Sequence, residues 1–247
     1  MFRGDEAPAF SPADLADLAL WLDATDASTI TLDGSNNVSQ WDDKSGNARH
    51  ATQAAALNRP TYLSSGINGL PTVRGDGDDD IMSWTAFSSG TIHNFYIVAA
   101  FDTVLNEYTS FGGFFGSING EGGIAHDVFF NDSAANPRVD SRQLGGGDNA
   151  YIAAGNVANI KSGAAAVHSF YRNGGSYGAK WTYETKATWT LTGTYATSAT
   201  KSTRIFSNYF ASVSFQISEL LCYTRDLSAS EESELSAYFT AKYGVGI

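Results

Sequence analysis

Acids and aromatics are the two kinds of side chain in this 247-residue chain that are grouped closely enough to bind or react. Asp76, Asp78, Asp79 and Asp80 crowd the run Gly75-Asp76-Gly77-Asp78-Asp79-Asp80. Carboxylates at that density can serve calcium, which takes roughly six to eight oxygens from flexible loops. The EF-hand spacing with its closing Glu is missing, however, and Asp in a Gly-rich run makes turns by bonding its own backbone. The run therefore reads first as a turn, with Asp76, Asp78 and Asp79 as weak calcium candidates. The aromatics are Tyr177, Trp181, Tyr183 and Trp189, interrupted by Thr, Lys and Glu beside the Asn173-Gly174-Gly175 turn. A pyranose stacks its C–H face on such a ring while polar neighbours hold its hydroxyls. Tyr177, Trp181 and Tyr183 share strand parity, so one face carries all three, as a glycan platform or as plain core.

Other reactive types are dispersed. His50, His93, His126 and His168 occur singly, with no HExxH or His-x-His pair to chelate a metal. Cys222 is the single cysteine and sits in an apolar run, which suits a buried, inert thiol and excludes a disulfide within the chain. Arg3-Gly4-Asp5 and Arg74-Gly75-Asp76 are explained by chance and turn chemistry. A glycoside hydrolase needs two carboxylates across the scissile bond, yet Glu184 and Glu219 each stand alone on an expected strand.

The elements that must position these residues are mostly strands. Gly, Ser, Thr and aromatics are abundant, while the residues that fill long helices are few. Period-two alternation predicts strands at 18–23, 30–32, 38–41, 51–53, 60–63, 70–73, 81–84, 91–102, 165–171, 176–183, 188–195 and 204–210. Asp33-Gly34-Ser35-Asn36-Asn37 and Asn173-Gly174-Gly175 are the clearest hairpin turns. Between 108 and 163 the apolar bursts are broken by Gly pairs and carry no firm boundaries.

The chain closes on its best-specified stretch. Val213, Phe215 and Ile217 alternate with polar residues before the pattern thickens to Leu220-Leu221-Cys222-Tyr223, predicting a last strand that runs into a covered interior. Ser228 with Glu231 forms a capping box, and Leu235, Tyr238, Phe239 and Tyr243 make one apolar stripe that ends at Gly244. Lys242 interrupts the stripe and is expected to lay its stem on the apolar surface with its ammonium in water. The helix reads as a lid. A second helix start, Ser11-Pro12-Ala13-Asp14, predicts about two turns, and the chain ends are expected to pack together. The organisation expected is an arm at 1–17 and a single domain at 18–247.

A net charge of -11 and a pI near 4.6 disfavour nucleic acid. No apolar run reaches the roughly 18 residues of a spanning helix, so membrane insertion is not expected. The start Met-Phe-Arg-Gly-Asp-Glu-Ala-Pro lacks the pattern of a secretory signal.

Four segments carry a resemblance: 18–24 (LALWLDA), 38–47 (VSQWDDKSGN), 69–79 (GLPTVRGDGDD) and the closing strand and helix. In order and spacing they resemble the concanavalin A-like lectin/laminin G jelly-roll superfamily, in particular its bacterial and bacteriophage modules. The resemblance implies an all-β, two-sheet antiparallel jelly-roll sandwich with a short N-terminal helix and a capped C-terminal helix. It also implies lectin-like, non-catalytic carbohydrate binding or adhesion and keeps calcium in play. Gly75 departs from the family, which usually has an aromatic residue there, and is expected to loosen the strand. Relatives of this sandwich include hydrolases and lyases, so a polysaccharide-degrading enzyme is the alternative. The glucanase run Glu-x-Asp-x-x-Glu is nevertheless absent. The hairpin Phe170–Tyr177 only faintly echoes alginate lyases, and Ser218 in Gln216-Ile217-Ser218 stands where their base would be. The function expected is a bacteriophage virion component (tail fibre, receptor-binding or capsid decoration), extracellular after release and homo-oligomeric or particle-bound. Its expected partners are bacterial surface polysaccharide or other virion proteins.

Overall fold

Alternation and turn chemistry set the elements. The computed structural model describes residues 10–88, 94–102, 112–113, 116–117, 123–133, 136–144, 166–173, 176–182, 187–192, 200–206 and 214–247, with side chains at 10–84, 94–100, 102, 167, 205–206 and 214–247. In chain order the strands are β1 (Leu18–Asp23), β2 (Ile30–Leu32), β3 (Val38–Trp41), β4 (Ala51–Thr52), β5 (Thr61–Leu63), β6 (Thr72–Gly75), β7 (Met82–Ser88), β8 (Asn94–Phe101), β9 (Gly112–Gly113), β10 (Gly116–Ser117), β11 (Gly123–Ser133), β12 (Asn136–Leu144), β13 (Ala166–Asn173), β14 (Ser176–Thr182), β15 (Ala187–Thr192), β16 (Thr200–Ile205) and β17 (Phe215–Tyr223). One helix, α1 (Ala229–Tyr243), follows.

The strands pair antiparallel into an all-β sandwich. The first sheet runs β15-β14-β13-β8-β17-β6-β5, and the second runs β10-β16-β7-β4-β3-β2. A three-stranded sheet, β12-β11-β9, forms in the stretch where the sequence set no boundaries. β17 is the pivot. One edge pairs with β8, and the other is shared by β6 at Phe215–Ile217 and by β1 from Glu219 onward. The two chain ends therefore do pair, with Trp21 opposite Leu221 and Asp23 opposite Glu219. At one corner the sheets join: Val38 N donates to the Pro60 carbonyl (2.8 Å) and Tyr62 N to the Asn36 carbonyl (2.9 Å).

Strand parity divides the apolar residues into two cores. Leu20, Leu22, Trp41, Val73, Phe95, Ile97, Phe215 and Leu220 fill the space between the sheets. On the outer side of the first sheet Trp21, Tyr96, Val98, Leu221 and Tyr223 pack against Leu235, Phe239 and Tyr243 of α1. Each such buried side chain contributes roughly 1.5–3 kcal/mol, so the helix is held by its stripe. Both halves of its capping box form, and Gly244 closes it in the left-handed conformation at φ 73°. Cys222 lies in the inner core, and burial pushes its thiol well above the ordinary range.

The loop after β3 seals the open edge of β1. Asp43 takes the Trp21 N–H (2.9 Å), Lys44 N donates to the Trp21 carbonyl (2.8 Å), and Asn47 Nδ2 reaches the Leu18 carbonyl (2.9 Å). The motif Asp43-Lys44-Ser45-Gly46-Asn47 thus substitutes for a neighbouring strand and satisfies buried backbone groups.

Three expectations change. The N-terminal helix is a single 3-10 turn, Pro12–Asp14, because Leu15 returns to extended geometry and is buried under α1. Gly75 leaves no slack: a Cβ there would lie 2.6 Å from the Phe206 ring, which is buried and stacks 5.1 Å from Phe215. An aromatic ring 131 residues away in sequence occupies that space. The Lys242 ammonium is not in water either, as the next section shows.

Candidate functional site

The outer core contains an unforeseen acid at its centre. Glu219, with no exposed surface, follows a register shift in β17 and meets four donors. Its Oε1 accepts from Trp21 Nε1 (2.7 Å) and the Tyr238 hydroxyl (2.8 Å); its Oε2 accepts from Lys242 Nζ (2.9 Å) and the Tyr243 hydroxyl (2.7 Å). Lys242, only 20% exposed, also holds Asp23 Oδ1 at 3.0 Å, and Lys44 bridges Asp23 to Asp26 at 3.1 and 3.0 Å. Burial raises the Glu219 pKa against the pull of Lys242. For Asp23 burial acts the same way, but Lys242, a bond from Thr25 and Lys44 outweigh it and hold the carboxyl below its ordinary value. Burial and then the Glu219 charge push the Tyr238 and Tyr243 hydroxyls far up, so both remain donors.

Buried, perturbed acids often mark active sites. Here each Glu219 oxygen already has two donors, which leaves it no role as acid, base or nucleophile. The cluster ties β1, β17 and α1 together. Ser218, the residue weighed against a lyase base, is buried and donates to the Pro71 carbonyl (2.8 Å).

The acidic run lies in the connection from β6 to β7. Asp76 Oδ1 accepts from Asp78 N (2.8 Å), and Asp80 Oδ2 accepts from Asp76 N (2.9 Å), the local bonding expected of a turn. Asn58 Nδ2 binds the Asp79 carbonyl (2.9 Å) from a second loop. Asp76, Asp79 and Asp80, rather than Asp78, place carboxylate oxygens within 4.8 Å of one another. Asp80 is 7% exposed; burial, and then the charges of Asp76 and Asp79 against one backbone bond, push its pKa up to about 6. Three carboxylates that each offer one oxygen supply half or less of the roughly six to eight that calcium takes. Arg74 of the second Arg-Gly-Asp is paired with Asp102 at 2.6 Å, and Arg3-Gly4-Asp5 lies outside the described residues. His50 Nδ1 lies 3.1 Å from Asp42 and accepts from Asp43 N (3.2 Å), within the loop that seals β1.

The predicted aromatics fall on adjacent strands. Tyr177 and Trp181 lie on β14 and Trp189 on β15, while Tyr183 lies outside the described residues. The ladder puts Trp181 on the register line of His168 and Ile97, and Trp189 on that of Ala179, Phe170 and Phe95. Ile97 and Phe95 belong to the core between the sheets. The alternate lines carry hydroxyl groups: Val98, Val167, Thr182; Tyr96, Ser169, Lys180, Thr188; and Asn94, Tyr171, Gly178, Thr190. Tyr96, Val98 and Val167 belong to the outer core under α1. The alternation Thr188-Trp189-Thr190-Leu191-Thr192 was the sequence signal for this second face.

No protein-family model and no curated protein matches this chain. Solved structures do resemble it. Domain 4 of AbnA, a GH43 extracellular arabinanase from Geobacillus stearothermophilus in complex with arabinotriose, is 13% identical over 87% of this chain and 96% of its own, with a TM-score of 0.55. A tryptophan-to-alanine mutant of HCR/D is 10% identical over 95% of this chain and 56% of its own, with a TM-score of 0.61. A mutant Trypanosoma rangeli sialidase with trans-sialidase activity is 10% identical over 92% of this chain, at a TM-score of 0.52. This chain spans about a third of that sialidase, 33%. What they share with it is a β-sandwich fold.

Proposed function

We propose that this chain is a non-catalytic, lectin-like adhesion protein that binds bacterial surface glycans through the sheet end formed by β13, β14 and β15. The observation that carries this reading is the state of the acids. The acids paired across strands, Asp23 and Glu219, are engaged with Lys242, Lys44 and the α1 tyrosines, so these two carboxylates serve structure. Meanwhile the sequences of β13–β15 carry aromatic, hydroxyl and amide residues, the types that hold sugars. Two of the fold neighbours support a glycan ligand by their own descriptions, arabinotriose for one and trans-sialidase activity for the other.

Binding on an open sheet face is weak per site, and display on an oligomer or particle compensates through effective concentration. The setting we propose is a bacteriophage virion, as tail fibre, receptor-binding protein or capsid decoration, on the strength of the four segments that resemble such modules. Mass spectrometry of purified particles tests it: the chain should be present in stoichiometric amount. The acidic turn is proposed to work without calcium. A calcium titration should leave Tm unchanged, whereas a rise would assign Asp76, Asp79 and Asp80 as ligands. A glycan array with a parallel assay for new reducing ends tests the main reading. Binding without cleavage is expected; cleavage would assign a polysaccharide-degrading enzyme instead.

A further inference from the structure

The outer side of the first sheet is apolar only where α1 covers it, over Trp21, Tyr96, Leu221 and Tyr223. Along β6 and the first half of β17 the same side is polar. Val73, Phe215 and Ile217 face the core between the sheets, so alternation turns Thr72, Arg74, Ser214 and Gln216 outward. Arg74 stands in register with Thr61 on one neighbouring strand and Gln216 on the other.

These side chains hold one another in fixed orientations. Arg74 Nε donates to Asp102 Oδ2 (2.6 Å), and the Ser214 hydroxyl lies between that oxygen and the Gly75 carbonyl. Gln216 Oε1 accepts from the Thr72 hydroxyl (2.9 Å), which turns its amide nitrogen toward Asp102 Oδ1 (3.5 Å). The backbone at Gly66 backs both groups: a Cβ there would lie 2.2 Å from Thr72 Oγ1 and 2.5 Å from Gln216 Oε1. The guanidinium is thus anchored by one edge. Among the described residues no acceptor meets its Nη1 or Nη2, and the Arg74 side chain is 43% exposed against 23% for Asp102. An ion pair this open adds little stability, and ordering three long or planar groups around it costs side-chain entropy. Such ordering is what a binding group requires before its ligand arrives.

We propose that Arg74, flanked by Gln216 and Thr61, forms a second saccharide site whose ligand is an uncharged sugar held through vicinal hydroxyls. The ligand class rests on the carbohydrate reading above; the site lies toward the opposite end of the same sheet from β13–β15. The free Nη1 and Nη2 edge donates two parallel hydrogen bonds to neighbouring hydroxyl oxygens, which are the stronger for the charge on the donor. The Gln216 amide and the Thr61 hydroxyl serve the next positions on the ring. Anionic sugars are disfavoured here. Asp102 already matches the Arg74 charge, and the exposed Asp76, Asp78 and Asp79 follow in the adjoining turn.

The test begins with the whole chain on an array of neutral and acidic bacterial polysaccharides, followed by calorimetry with a neutral oligosaccharide from those it binds. Binding to neutral forms should vary little with salt. Arg74→Lys keeps the charge but loses the fork, and should weaken binding by about tenfold with an unchanged melt. Gln216→Ala should weaken it less. Labelling of the wild-type chain with phenylglyoxal, read by peptide mass mapping, needs no variant: Arg74 should react in the free chain and be protected by the saturating oligosaccharide. Equal labelling of Arg74 with and without bound saccharide, or wild-type affinity in Arg74→Lys, overturns the second site and leaves the carbohydrate reading intact. Binding confined to acidic polysaccharides overturns the ligand class assigned to it. Absence of binding to any polysaccharide overturns both readings.

Discussion

Three single residues decide how the described part of the molecule holds together, and each yields a prediction. Lys242 neutralises two buried acids at once. Lys242→Met should therefore cost about 3 kcal/mol in urea unfolding, because removing one partner strands the other charges. Adding Glu219→Gln should recover part of that loss; equal stability of Lys242→Met and wild type would contradict the network. Gly75 faces the Phe206 ring at 2.6 Å from a would-be Cβ. Gly75→Ala should destabilise by about 1–3 kcal/mol through overpacking, read from the shift of the urea midpoint. Asp80 sets a pH dependence. Its pKa rises from the ordinary 3.8 to about 6, so the fold favours the neutral acid. The resulting stabilisation is complete below the ordinary value and lost as pH rises through about 6. Asp80→Asn should raise Tm at pH 7 and leave it nearly unchanged at pH 4; no change at pH 7 would contradict the assignment. The Asp80 turn follows from its local run, but the Lys242 and Gly75 couplings were not legible in the sequence. Lys242 lies 23 residues from Glu219, and Trp21 lies 198 from it, so no local spacing announces them. A lysine interrupting an apolar helix stripe is most simply read as snorkelling, and only the acid opposite it changes that.

At the scale of elements the sequence was more informative, because capping and alternation are local properties. The Ser228–Glu231 box, the Leu235–Tyr243 stripe and the Gly244 cap all form as the spacing implied. Ser228→Ala should cost about 1 kcal/mol, measured by thermal or urea unfolding, by removing one cap bond at an exposed helix start. The pairing of β1 with β17 was also anticipated, since both segments alternate with one face apolar. The short N-terminal turn was overestimated because its cap signal is local while the burial of Leu15, which ends it, is tertiary. The aromatic strand face shows the same limit. Parity groups Tyr177 with Trp181, which both lie on β14 while Tyr183 lies outside the described residues, but parity alone cannot give the line on which each strand position falls. That takes the register through β13 to Ile97 and Phe95.

For the whole molecule, composition and turn signals pointed to an all-β sandwich, and the two stacked sheets with a helix over one of them bear this out. The third sheet was not foreseen, because β9–β12 arise from Gly-broken bursts without clear periodicity. Charge is the property that acts at this scale. A net charge of -11 conceals a segment, 149–218, in which six bases stand against one acid. Asp23 and Glu219, set side by side by the fold, are committed to holding α1 on the sheet, and the binding role proposed above is placed away from them. The most direct measurement is the whole chain on a bacterial glycan array, with reducing ends assayed on every polysaccharide it binds. The account predicts selective, saturable binding and no new reducing ends; progressive depolymerisation, or no binding to any glycan, would contradict it.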